Sequence, residues 1–235
     1  MNRTAKIRII FIVTSFGLLA LRPPAVRADA PPSPPLRETI EWVDYWDPQA
    51  NKSDLPRVLL IGDSITKGYY DVVAKELKGK AIVIRLATSH WLSDPMLLAE
   101  IALVLDNNKF DVIHFNNGMH GWQHTEDEYK AAFPAYLATI RQHAPTAKLI
   151  WATTTPVSQP GKPEQIDPRT ERVKVRNSIA HDFITKAGIP EDDLFSVILP
   201  HPEYHDMGGV HFLEQGKEVE GKEVAAQIEK LLAPQ

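Results

Sequence analysis

Two short blocks, far apart in the chain, hold the residue types that nucleophilic catalysis needs. The first reads Leu60-Ile61-Gly62-Asp63-Ser64-Ile65. It follows an apolar run and precedes a helical pattern, so Ser64 falls at the tip of a strand, where a helix N-terminus stabilises negative charge developing beside it. A serine needs a base, and Val210-His211-Phe212, just ahead of the last helical pattern, offers His211. The bland alternative for the first block is an Asp/Ser turn that caps the next helix. A further cluster, His201-Pro202-Glu203-Tyr204-His205-Asp206, lies close to His211 and has imidazole and carboxylate groups that a metal could use. Pro202 opposes a helix presenting both histidines on one face, so they read as solvated loop histidines and no metal is assigned.

Short β-branched runs alternating with longer amphipathic segments imply parallel βαβ units. Strands are predicted at Val58–Ile61, Ala81–Leu86, Val112–Phe115, Lys148–Ala152 and Leu194–Ile198. Asp94 and Pro95 start one helix, with Leu98, Ile101, Ala102 and Leu105 on one face. Thr125 and Glu128 form a capping box for another, in which Pro134 should kink or restart the helix. A last helix spans about Leu213–Leu232, with Gly216 and Gly221 weakening its first turns. The whole predicts an α/β fold, a three-layer α/β/α sandwich on a five-stranded, mainly parallel sheet. In such sheets function sits beyond the carboxyl ends of the strands. The loop carrying His211 can fold back there beside the first strand, so that base and serine meet across the crevice.

The chain has 235 residues, 43% of them hydrophobic, enough to fill a packed core. Residues 1–28 read as a secretory signal peptide: Arg3, Lys6 and Arg8 precede an apolar run from Ile9 to Leu21 and a small-residue exit at Val26-Arg27-Ala28. As a helix that run rises only about 20 Å, short of a hydrocarbon core of roughly 30 Å, so no stable membrane span is expected after processing. The protein is expected to be secreted or periplasmic. Residues 29–56 read as a Pro-rich linker and N-terminal extension, and 57–235 as the globular domain. Without the five basic groups of residues 1–28, 21 basic side chains face 30 acidic ones, a charge that repels a phosphate backbone and disfavours nucleic-acid binding. With no cysteine, the chain has neither disulfides nor thiolate metal sites.

From Arg57 to Leu232 the sequence resembles the SGNH (GDSL-type) hydrolase superfamily. Gly62-Asp63-Ser64 matches the family's serine block, and Val210-His211-Phe212 with Gly216 resembles its histidine block. The stretch Phe110 to Gly121 resembles a third block, a strand ending in Gly-x-Asn. The resemblance implies a flavodoxin-like SGNH hydrolase fold and a cofactor-independent serine esterase with Ser64 as nucleophile and His211 as base. The acid that the family places three residues before the histidine falls at Gly208, leaving Asp206 as the nearest candidate to orient His211. In the third block His120 stands where the family has its oxyanion asparagine, with Asn117 close by. The second block, which supplies an oxyanion backbone donor, corresponds to Ala87-Thr88-Ser89-His90-Trp91, so that donor is expected near His90.

Trp91, Trp122 and Tyr204 follow strands or precede His211, where flat rings suit the faces of a sugar; the competing reading is that they pack loops onto the sheet. The longest loop, Thr154–Pro168, is polar and proline-rich, unlike an apolar lid. The expected substrate is a short acyl ester, acetyl foremost, on a small molecule or a glycan. The alternative is a degenerate SGNH-fold protein that binds a glycan or lipid without turning it over. The oligomeric state is not legible in the sequence.

Overall fold

The computed structural model describes residues 35–52 and 54–233. The expected signal peptide, and the linker as far as residue 34, lie outside the described residues. The elements are β1 (Val43–Trp46), β2 (Arg57–Gly62), α1 (Ser64–Glu76), β3 (Ile82–Thr88), α2 (Pro95–Asn107), β4 (Val112–Phe115), α3 (Glu126–His143), β5 (Lys148–Ala152), β6 (Ser158–Gln159), β7 (Lys162–Ile166), α4 (Arg169–Lys186), β8 (Glu191–Asp192), α5 (Leu194–Ile198) and α6 (Glu214–Leu232).

A six-stranded sheet runs in the order β1-β3-β2-β4-β5-β8, with β1 antiparallel and the rest parallel. The side-chain period of two sorts the core onto both faces. Leu59, Ile61, Ile84, Ile113, Phe115 and Trp151 pack against α2, α3 and α4. Val58, Leu60, Val83, Val112 and Ile150 pack against α1, α5 and α6. The chain is therefore a three-layer α/β/α sandwich. Among the described residues no helix is long and apolar enough to cross a membrane.

Two expectations are corrected, one for a strand and one for a helix. Leu194–Ile198 is helix α5, because Asp193 caps it through a hydrogen bond from Ser196 N–H and Leu194 and Ile198 share one buried face. The last parallel strand is instead the two-residue β8. Pro134 does not break α3, which runs unbroken from its Thr125–Glu128 capping box. Losing one helical hydrogen bond at a proline costs about 3 kcal/mol, whereas burying Tyr129, Phe133, Tyr136, Leu137 and Ile140 is worth roughly 1.5–3 kcal/mol each. Helix α6 is continuous through its glycines; a Cβ at Gly221 would lie 2.5 Å from Val72 Cβ, so the small residue lets α6 approach α1 closely. Residues 35–52, read as an extension, supply the edge strand β1, whose exposed Val43, Tyr45 and Trp46 hide any alternating pattern.

Candidate active site

The chain passes from β2 to β3 on one side of β2 and then crosses to β4 on the other. The carboxyl ends of β2 and β4 therefore flank the topological switch point, where an open sheet leaves a crevice. Ser64 is the first residue of α1, and the Asp63 side chain accepts the Ile65 N–H at 2.8 Å to cap that helix. The capping turn and the exposed hydroxyl are thus one piece of structure.

His211 Nε2 lies 2.8 Å from Ser64 Oγ, the hydroxyl donating when the ring carries its proton on Nδ1. The loop that brings it there is closed by Asp206 N–H to His211 O at 2.8 Å and by a bridge between His205 and Phe212. Asp206 is beside His211, but its Oδ2 is 4.0 Å from Nδ1, beyond hydrogen-bond reach. Its Oδ1 accepts from the N–H groups of Gly208 and Gly209 at 2.8 and 3.2 Å. Ser64, Lys67, Lys217, Asp206, His211 and Glu220 line a cavity of about 310 Å³. Glu220 is fully buried with neither oxygen hydrogen-bonded among the described residues, and burial, with Asp63 and Asp192 adding to it, holds its carboxyl well above the usual range.

Ser89 N–H donates to Trp42 O at 3.1 Å and His90 N–H to Thr88 Oγ1 at 3.2 Å, so these two backbone donors are occupied. The His90 ring is buried, its Nδ1 2.8 Å from Thr88 Oγ1. Asn117 is buried and its Nδ2 donates to His90 O at 3.0 Å, which ties the second loop to the third. His120 Nδ1 is 3.0 Å from Glu38 Oε2, while its Nε2 is buried without a hydrogen-bond partner among the described residues.

Neither a protein-family model nor a curated protein matches this chain. Solved structures do. A lipase/acylhydrolase from Enterococcus faecalis superposes with a TM-score of 0.61 at 20% identity, over 77% of this chain and 99% of that one. A carbohydrate esterase family 3 protein from Talaromyces cellulolyticus gives 0.61 at 15% identity, over 76% and 98%. A carbohydrate acetylesterase family member from Sinorhizobium meliloti gives 0.60 at 18%, over 76% and 99%. The chain has the SGNH hydrolase fold.

On this SGNH fold the competing reading, in which the rings pack loops onto the sheet, holds for Trp91 and Tyr204. Trp91 is only 4% exposed, stacked on His124 with ring centroids 4.7 Å apart, so it packs the loop and offers no face to a sugar. Trp122 is half-buried, with the guanidinium groups of Arg176 and Arg172 4.8 and 5.4 Å from its ring centroid. Tyr204 is buried and stacked on His201. His205, read as a solvated loop residue, is buried with its ring nitrogens near Ser158 Oγ and Pro156 O.

Three residues around the site escaped sequence reading. Arg176 of α4 is fully buried and donates to the carbonyls of Gly118, His120 and Gly121. Glu38 and Trp42 come from the segment ahead of β1. The half-buried Trp42 ring has His120 edge-on at 6.5 Å and Lys67 Nζ at 5.9 Å on its other contact, placing it at the crevice rim.

Proposed function

We propose that this protein is a serine ester hydrolase for short acyl esters, acetyl foremost, carried on a carbohydrate or another small alcohol. The observation that carries the reading is the 2.8 Å contact between Ser64 Oγ and His211 Nε2 at the switch point of the sheet. Ser64 Oγ attacks the ester carbonyl carbon as its proton passes to Nε2. The carbonyl oxygen becomes an oxyanion, held by the Ser64 N–H at the start of α1 and by His120. The bond to the alcohol breaks, His211 returns the proton to the leaving oxygen, and water then releases the acyl group from Ser64 with His211 as base. Supporting the substrate class are the names of two structural neighbours, a carbohydrate esterase and a carbohydrate acetylesterase, and the polar Thr154–Pro168 segment. With Trp91 buried, Trp42 offers a ring at the rim.

The test compares acetylated oligosaccharides with p-nitrophenyl esters of two to twelve carbons. Turnover of the acetylated glycans, and of acetate over longer esters, is expected. Activity that rises with chain length while glycans stay untouched would replace the carbohydrate with a lipid substrate.

Asp206 is assigned the stabilisation of the imidazolium that forms on His211. Two charges 4 Å apart attract by about 1 kcal/mol in water and about 4 kcal/mol near a protein surface; with 52% and 37% of the side chains exposed, this pair lies toward the lower end. Asp206→Asn, which keeps the acceptor for Gly208 and Gly209, should lower kcat/KM about tenfold, about 1.4 kcal/mol. Loss of a hydrogen-bonded triad acid costs about 10⁴-fold instead. A change below about threefold in steady-state kinetics would mean that Ser64 and His211 act as a dyad.

Export is proposed from residues 1–28 alone: mass spectrometry of protein from its native host should find a mature N-terminus at or near Asp29, and an intact Met1 on the bulk of it would overturn this.

A further inference from the structure

Glu38 lies ahead of every sequence motif, yet its carboxylate grips the loop that carries His120. Oε2 accepts from His120 Nδ1 at 3.0 Å and Oε1 from Gly121 N–H at 2.9 Å. An ionised carboxylate only accepts, so it fixes a proton on Nδ1. The neutral ring would then present a lone pair at Nε2, which repels an oxyanion; Nε2 becomes a donor only when the ring carries both protons. In the structure that nitrogen is buried and without a partner among the described residues.

We propose that Glu38 is a positioning residue that holds His120 as an imidazolium, whose Nε2–H is a charged oxyanion donor in place of a neutral amide. The proposal rests on the esterase reading above. A charge-assisted hydrogen bond is roughly twice as strong as a neutral one, which compensates for the backbone donors already occupied at Ser89 and His90. The charged groups around the ring are Glu38 and Glu41 from the N-terminal segment, Asp63 beside the nucleophile, and Arg176, whose guanidinium donates to His120 O at 2.8 Å. Burial opposes the imidazolium, but the hydrogen bond to Glu38, helped by Asp63 and Glu41, outweighs it and raises the His120 value above that of ordinary imidazole. The bond from His120, with Gly121 N–H and Arg176 assisting, holds Glu38 below the usual carboxylate range. The sign follows: the charged donor is complete below the ordinary imidazole value and disappears as pH rises through the raised one, so kcat should fall on that alkaline side.

The experiment follows the His120 ring by NMR titration and kcat against pH in wild type, Glu38→Gln, Glu38→Asp, His120→Asn and the double variant Glu38→Gln/His120→Asn. Glu38→Gln should move both the titration and the alkaline fall of kcat to lower pH and lower kcat at neutral pH by about tenfold or more, within the 10²–10³ that a deleted oxyanion donor costs. KM should change little, Glu38→Asp should restore part of the shift, and His120→Asn should lose the alkaline fall. In the His120→Asn background, Glu38→Gln should change kcat by less than about twofold, because the two act as a unit. A titration that does not move in Glu38→Gln, or an equal loss of kcat in both backgrounds, would overturn the proposal and leave Glu38 a loop tether. The titration needs no turnover, so it reports on Glu38 and His120 even if Ser64→Ala were to retain hydrolysis and sink the esterase reading itself.

Discussion

Ser64→Ala is expected to remove hydrolysis of acetyl esters almost completely, by about 10⁵–10⁶-fold in kcat, the size seen when the nucleophile of a serine–histidine unit is deleted. The protein should barely notice the change. Asp63, not Ser64, accepts the Ile65 N–H at the start of α1, so the cap survives, and alanine is at least as good as serine at the first helical position. A surface change away from a cap or the core stays within about 0.5 kcal/mol, so the melting temperature should shift by no more than about 2 °C. A fluorophosphonate should label the wild type in a time-dependent way and leave Ser64→Ala untouched. Labelling without turnover of any ester would favour a degenerate binding protein that keeps an activated serine. Unchanged turnover in the variant would remove Ser64 from the mechanism.

The parts of this architecture that can be read from sequence are those whose information is local. Asp94-Pro95 and the Thr125–Glu128 box mark helix starts through bonds that span only a few residues, and α2 and α3 begin where those signals stand. The runs Val112–Phe115 and Lys148–Ala152 are strands over those same residues because both faces of a parallel strand are buried. The Leu194–Ile198 run carries too little pattern to separate strand from helix, and only Asp193 as a cap could have decided it. At the site, residue types in order are enough to nominate Ser64 and His211. They cannot say that the backbone N–H groups of Ser89 and His90 are occupied, since the acceptors are Trp42 O and Thr88 Oγ1, the first of them far off in sequence. Glu38 was invisible for the same reason: an isolated acid after a proline-rich stretch has no spacing relation to His120. Trp91 has the right position in the chain and the wrong surroundings, because a ring after a strand is as able to turn inward as outward, and here His124 and Arg176 cover it.

Arg176→Ala should be the most destabilising single change near the site. Arg169, Arg172 and Arg176 follow one another at helical spacing on α4, and Arg176 is fully buried. Its guanidinium lies 5.1, 4.8 and 5.6 Å from the ring centroids of Trp91, Trp122 and Tyr129 and bonds the carbonyls of Gly118, His120 and Gly121 at 2.8–3.0 Å. Those carbonyls belong to a turn that is already tight. Gly121 has φ +74°, and a Cβ there would stand 2.1 Å from the Trp91 ring. Alanine would leave the carbonyls of Gly118 and His120 without a donor, at about 1–3 kcal/mol each if neither rearranged, while Gly121 O keeps the His124 N–H, and it would open a void between three rings. Partial relaxation and water entry bring the expected loss to about 3–5 kcal/mol, or a melting temperature lower by about 10 °C. Arg176→Lys keeps a charge but cannot span three carbonyls with a compact ammonium, so it should fall between. In both variants, at temperatures where the protein remains folded, kcat should fall with KM nearly constant, because the turn that aims His120 is released while the cavity beside Ser64 is lined by other residues. Thermal unfolding and steady-state kinetics together decide the matter. A melting temperature within 2 °C of wild type would mean that the aromatic cage holds the turn without its cation, and full kcat in the folded fraction would separate the turn's rigidity from catalysis.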